Sequence, residues 1–377
     1  MIGAGRRGAV CTLLAALSLC AWSCRPRRGT AVEGYAFIGT AAGNAITVVD
    51  LASFSAIRQI PLGSRPVQIV SDPARRSLYV MGEGGPAGLT EIDTARLVAK
   101  RSLWLAEKPQ RIRLAPGGDR LYLLDGRTQT FQSLDLEKMT RGRQIRLAGP
   151  PVDFDVSPDG HWACVSLQWG GVQVLDLARW KASAEIPTGG SPAAVAVRSD
   201  SRQAFVANPE GRSIAAIDLA AARVLAHLPL SARPEFLRFK PDGGELFVSG
   251  GDTSAVVIVS AYRDEIDQPM LAGAEPRGLA VTKDNRLLFV ANSAANTVSV
   301  INIDDRRMLA SVPVGEEPRQ VTLTPDDQYA LVLNYKSGDM AVIRVAAVVG
   351  GSRDRIQPLF TMIRVGSQPV DLAVQTR

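Results

Sequence analysis

The 377-residue chain is 46% apolar and 21% charged, with 34 glycines, 23 prolines, four cysteines and two histidines. This is the balance of a folded body, neither disordered nor held by a disulfide framework, and two histidines exclude a copper or haem centre built on a cluster of imidazoles. The formal charge of +6 gathers at the start: five arginines and no acid in residues 1–28 leave 38 basic against 37 acidic groups beyond, too even a balance for a nucleic-acid partner.

The first segment reads as an address. Arg6 and Arg7 precede the apolar run 9–22, which is shorter than the roughly 20 residues a spanning helix needs. Residues 1–23 are therefore expected to be a secretory signal peptide. Cys24, after Ala21-Trp22-Ser23, is the expected lipidation site of an exported lipoprotein; plain secretion by cleavage before the same residue is the alternative, and Cys20 is a poorer lipid acceptor. Residues 24–34 then form a tether, lipid-anchored or free, whose Arg25, Arg27 and Arg28 would meet an anionic membrane surface. The expected location is the periplasm or cell envelope. Cys164 is the cysteine left in the body, and its apolar surroundings (HWACVSL) mark it as a small buried hydrophobe.

Residues 35–377 are expected to be one domain, because a single motif recurs along them. A proline after a small or polar turn stands at Pro66, Pro109, Pro151, Pro192, Pro234, Pro276, Pro318 and Pro369, spaced by 41–43 residues except for a last interval of 51. An alternating apolar stretch follows each proline, then a turn such as SPDG (157–160), KPDG (240–243) or TPDD (324–327). Three more short apolar runs complete each unit, for example LFVA (288–291), TVSVIN (297–302) and LASVPVG (309–315). Four short strands per repeat, joined by turns too short for parallel crossovers, predict four-stranded antiparallel blades of an all-β propeller. A β-solenoid is the rival, but its turns are normally shorter. Residues 35–62 hold strands two to four of a blade and PVDLAVQTR at the other end holds only strand one, so the two chain ends are expected to share a blade. Eight blades result, with seven as the alternative.

The copies LFVANSAANTVSVIN (288–302) and AFVANPEGRSIAAID (204–218) resemble the YVTN-repeat β-propellers of bacterial and archaeal envelopes, with the proline-led strand and SPDG-like turn in support. The resemblance covers 35–375 and is best formed over 192–345; blades within 66–150 carry VMGE and LLDG in place of the asparagine motif. It implies a propeller, commonly of seven blades, and implies no single activity.

In a propeller the turns before the prolines and those between second and third strands share one face, the expected place for recognition. Candidate binding residues there and at the channel mouth are Arg65, Arg111, Asp153, Trp169, Arg233, Arg277, Arg319 and Asp371. Positions two and four after each proline should border the central channel; they place Arg111 and Arg113 beside Asp153 and Asp155 of the next blade, where ion pairing across the boundary is expected. The asparagines ending second strands and the aspartates ending third strands (Asp50, Asp93, Asp135, Asp176, Asp218) read as turn-holding groups. His161 and His227 fall in different blades without ligand partners. Asp153-x-Asp155-x-Ser157 starts like a calcium loop, but Pro158 occupies the glycine position. With no nucleophile elbow, phosphate loop or metal motif, the chain is read as a non-enzymatic binding or scaffold protein without cofactor or metal. Its partner would be a protein, peptide or glycan. The alternative is a lactonase-like hydrolase using Arg, Asp or Glu at the channel mouth.

Overall fold

The computed structural model describes residues 33–85, 88–105, 109–349 and 357–376. The proposed signal peptide, Cys24, most of the tether, Lys108 and most of the insertion after Val349 lie outside these residues.

Eight antiparallel sheets follow one another along the chain. Blade 1 pairs Gly34–Thr40, Ala45–Asp50 and Ser55–Pro61 with Pro369–Thr376, in a register running from Gly34 opposite Thr376 to Thr40 opposite Pro369. The chain ends therefore meet in one blade, and the first strand begins one residue earlier than the repeat suggested. The innermost strands of blades 2 to 8 are Arg65–Asp72, Pro109–Leu114, Pro151–Val156, Val195–Val197, Phe236–Phe239, Pro276–Val281 and Pro318–Leu323.

Both faces of each sheet are apolar because each faces a neighbouring blade. Phe37 and Ile38 are consecutive and point to opposite faces: Phe37 joins Ile46, Val48, Leu78 and Val80 between blades 1 and 2, while Ile38 joins Val49, Leu331 and Val342 between blades 8 and 1. Eight such clusters fill the eight boundaries of the ring. Phe37, Tyr79, Phe205, Phe247 and Phe289 on second strands are each 0% exposed, and burying a side chain of that size contributes about 1.5–3 kcal/mol. The outer strands show the opposite pattern; Ser55–Pro61 buries Ile60 alone.

The turns follow their side chains. Asp93 Oδ1 accepts the backbone N–H groups of Ala95 and Arg96 at 3.0 and 2.9 Å, and Asp135 does the same for Glu137 and Lys138. These contacts fix a tight turn and confirm the structural reading of these aspartates. Asn208 donates to the Thr188 carbonyl and accepts from its hydroxyl, while Asn292 Oδ1 accepts from the Gly273 N–H. Both asparagines tie a second strand to the turn that leads into the inner strand of the same blade. Cys164 is fully buried, and burial pushes its thiol far above the usual value.

Three details depart from a uniform four-strand unit. In blade 4 the outer strand is broken into Lys181–Ala182 and Ile186–Pro187, both paired to Gly171–Asp176. In the other blades a bulge occupies this place, as between Val300 and Ile301; in blade 4 the Ser183 hydroxyl and Gln173 amide take over the backbone partners there and the interruption widens. A second recurring bulge follows the leading proline, for example between Pro66 and Gln68 and between Pro318 and Gln320. Val345–Val349 forms one helical turn after the third strand of blade 8, with Val345 and Val348 packed on the core between blades 7 and 8.

Candidate functional site

The inner strands of all eight blades line one cavity of about 600 Å³ at the mouth of the central channel. Its lining residues stand at positions one to three after the prolines, with Arg113 and Arg238 from position four. Period-two alternation alone would send position one to the far side. The bulges after Pro276 and Pro318 set extra residues against the second strand, so Arg277 and Arg319 reach the same space as Arg111, Asp153 and Phe236. Glu235 stands just ahead of the strand Phe236–Phe239 and lines the cavity as well.

Much of the polar lining holds the ring together. An inner strand has unpaired backbone groups on its channel edge, and the preceding blade supplies partners. Gln68 accepts from the Ile112 N–H and donates to its carbonyl, both at 3.0 Å. Asp153 and Asp155 accept the N–H groups of Val195 and Val197 at 3.3 and 2.9 Å. Asp371 accepts from Ile69 of blade 2 at 2.7 Å, from its neighbour Leu372 and from the Gln320 amide of blade 8 at 2.8 Å. Arg238 Nε donates to the Leu279 carbonyl at 3.1 Å.

The expected pairing between blades 3 and 4 is present. Arg111 Nε lies 3.3 Å and Arg113 Nη2 3.6 Å from Asp153 Oδ1, while Arg113 Nε is 3.9 Å from Asp155. The interior of the ring is costly for charge of either sign. Burial raises Asp155 and Asp371 above the usual carboxylate range, despite backbone N–H donors to each and the nearby positive charge of Arg113. Arg238 stands within the ring, still reached by channel water but enclosed by protein. That enclosure, and then the charge of Arg113, lowers its guanidinium.

Five of the eight candidates thus share the cavity: Arg111, Asp153, Arg277, Arg319 and Asp371. Arg319 is held by Glu317 and lies over the Tyr335 ring at 3.5 Å from its centroid. The other three lie elsewhere. Arg65 is 3.7 Å from Glu83 in a separate groove of about 440 Å³ against Leu105 and Pro109. Arg233 is exposed, with its backbone N–H held by Asp252. Trp169 is 75% exposed on its turn and lines none of the cavities described. Arg65 and Arg233 stand directly before a leading proline, and Trp169 stands on the turn between the second and third strands of blade 4. Gln68, Arg113, Glu235, Phe236, Arg238 and Gln320 also line the cavity and stand outside those eight candidates. Arg238 was legible as a position-four residue, whereas Glu235 stands ahead of its strand, where alternation gives no direction.

Among the described residues no group of three or more His, Cys, Asp or Glu side chains is placed to hold a metal ion. His161 is on the surface, 3.2 Å from Asp159, and His227 is on an outer strand, so neither lines the channel.

A family model described as "Lactonase, 7-bladed beta-propeller" matches residues 279–358, which fall in blades 7 and 8. No curated protein matches the chain. Among solved structures, Kuenenia stuttgartiensis hydrazine synthase is similar at 20% identity and a TM-score of 0.59, over 74% of this chain and 96% of that one. Dihydro-heme d1 dehydrogenase NirN, solved in complex with DHE, is similar at 12% identity and a TM-score of 0.75, over 95% of this chain and 78% of that one. At such identities the likeness is one of fold. Both proteins are enzymes by name, so the comparisons lend nothing to the expectation of a non-enzymatic chain.

Proposed function

We propose that this chain is an extracytoplasmic binding protein that takes its partner at the channel mouth. Residues 1–23 would export it and Cys24 would carry its lipid, which suits the envelope location of the YVTN-repeat propellers it resembles. The partner is a protein, peptide or glycan segment. The observation that carries the reading is the use of the channel carboxylates: Asp153, Asp155 and Asp371 each hold backbone of the next blade. Such groups act as structural clamps and are poorly placed to exchange protons with a substrate. The test is capture from solubilised envelope with the processed protein. Capture should be lost with Phe236→Ala or Arg277→Gln at the mouth and kept with Arg179→Gln on a turn between third and fourth strands. Equal capture by all three variants would overturn the reading.

A lactonase-like hydrolase is the second reading, favoured by the match over residues 279–358. Glu235 would be its base, since no described residue bonds its carboxylate and it faces the cavity. Hydrolysis of an aldonolactone, abolished in Glu235→Gln, supports this reading over the first; no turnover above the uncatalysed rate removes it.

A further inference from the structure

Accounting for charge around the channel leaves two guanidinium groups over. Arg111 and Arg113 are taken by Asp153 and Asp155, and Arg319 by Glu317. Across the ring, three N–H donors satisfy Asp371. Arg238 and Arg277 form no ion pair with any described residue. Arg238 uses Nε on the Leu279 carbonyl, which leaves its two terminal nitrogens free of protein partners. Arg277 has no partner for its side chain, and its Nε is shut off from solvent as well. An orphaned buried guanidinium nitrogen is costly in a finished structure; a ligand that accepts a hydrogen bond removes that cost.

The two groups belong to one locality. Arg238 reaches from blade 6 onto Leu279, and Arg277 lies two residues earlier on that same strand, roughly 7 Å along it. Both line the cavity at the channel mouth, beside the small pair Ala193 and Ala194 of the adjoining blade 5. Glu235 is the opposing charge in this arc. Its carboxylate and Arg277 Nη2 both come within 4.0 Å of the point where a Cβ on Gly251 would stand, yet they form no ion pair. Phe236, 37% exposed, adds an apolar surface beside them.

We infer that Arg238 and Arg277 form an anion site in the channel mouth, made for a carboxylate or phosphate group on a small molecule or on the end of a larger partner. Guanidinium forks match the paired oxygens of either group, and the Phe236 ring takes the apolar part next to it. The inference rests on the reading of the mouth as a binding site and names what is bound there.

The test is isothermal titration of the full chain with inorganic phosphate and, separately, with benzoate, each at ionic strength matched by sodium chloride. Saturable binding of at least one probe is expected, at least tenfold weaker in Arg238→Gln and in Arg277→Gln and unchanged in Arg179→Gln. Phosphate alone binding marks a phosphoryl group as the natural one; benzoate alone marks a carboxylate beside an apolar group. If Arg238→Gln fails to fold by circular dichroism, Arg277→Gln decides, because its side chain makes no hydrogen bond in the folded chain. Failure of both probes to saturate, or binding that survives the substitutions, overturns the site. Anion binding without mouth-dependent partner capture sinks the preceding reading alone. Partner capture without anion binding sinks this one alone.

Discussion

The Arg111–Asp153 contact is the most direct check on how the inner ring is held. Arg111→Ala should cost little by itself, because its side chain is 44% exposed and Arg113 remains beside the carboxylate. Asp153→Ala removes more: the carboxylate's side chain is 12% exposed, it caps the Val195 N–H, and its loss leaves two guanidiniums facing an enclosed space. Breaking a buried pair from one side costs about 3–5 kcal/mol, and about 2–3 kcal/mol is expected here because the channel is wet. In the double variant the arginine no longer lacks its partner, so the two losses do not add. A coupling of about 1 kcal/mol is expected, at the upper end for exposed pairs. Urea denaturation of wild type, both single variants and the double variant measures it. Additivity within about 0.3 kcal/mol would refute the contact and the cross-blade account with it.

Three further outcomes are expected. Gly278→Ala places a Cβ 2.7 Å from the Arg319 carbonyl oxygen and 2.8 Å from Gln320 Cα; urea unfolding should show a loss of about 1–3 kcal/mol, whereas Gly149→Ala, with nothing within 4 Å, should be near neutral. Asp371 has a folded pKa raised by burial, so its favourable contribution is complete below about pH 4 and is lost as pH rises through the folded value. Wild type should therefore lose stability relative to Asp371→Asn as pH rises from about 4, and parallel stability curves would contradict this. Deleting residues 369–377 strips Gly34–Thr40 of its inner partner and leaves it paired on one side only. The product should aggregate on size-exclusion chromatography through the open edge, and a monomer with the wild-type melting midpoint would count against closure.

Most of the architecture was legible because a propeller repeats its instructions. The proline spacing, the SPDG-type turns and the incomplete units at the two ends were enough for the blade type, the shared blade and the eight-fold count. Cross-blade pairing of Arg111 with Asp153 could be read too, since alternation holds beyond the bulge. What alternation could not supply was the bulge itself, a backbone event with no side-chain signature. It brings Arg277 and Arg319 into the cavity from a position that alternation turns away from it. The split outer strand of blade 4 was equally hidden, because it depends on Ser183 and Gln173 meeting across strands. Nor could the roles of Asp153 and Asp371 be separated from ligand binding by sequence alone, since a clamp and a binding group are the same residue type until the Val195 and Ile69 N–H groups are located.

The shared blade also sets the timetable of folding. Its innermost strip is translated last among the strands, and the Asp371–Ile69 bond joins positions 302 residues apart. Contacts of such sequence separation form slowly, because the chain must give up loop entropy before they repay it. Seven blades can stack in order as the polypeptide emerges, while the strand at Gly34–Thr40 waits with a bare edge. During that interval the nascent protein is an arc whose two flanks carry unpaired strand edges.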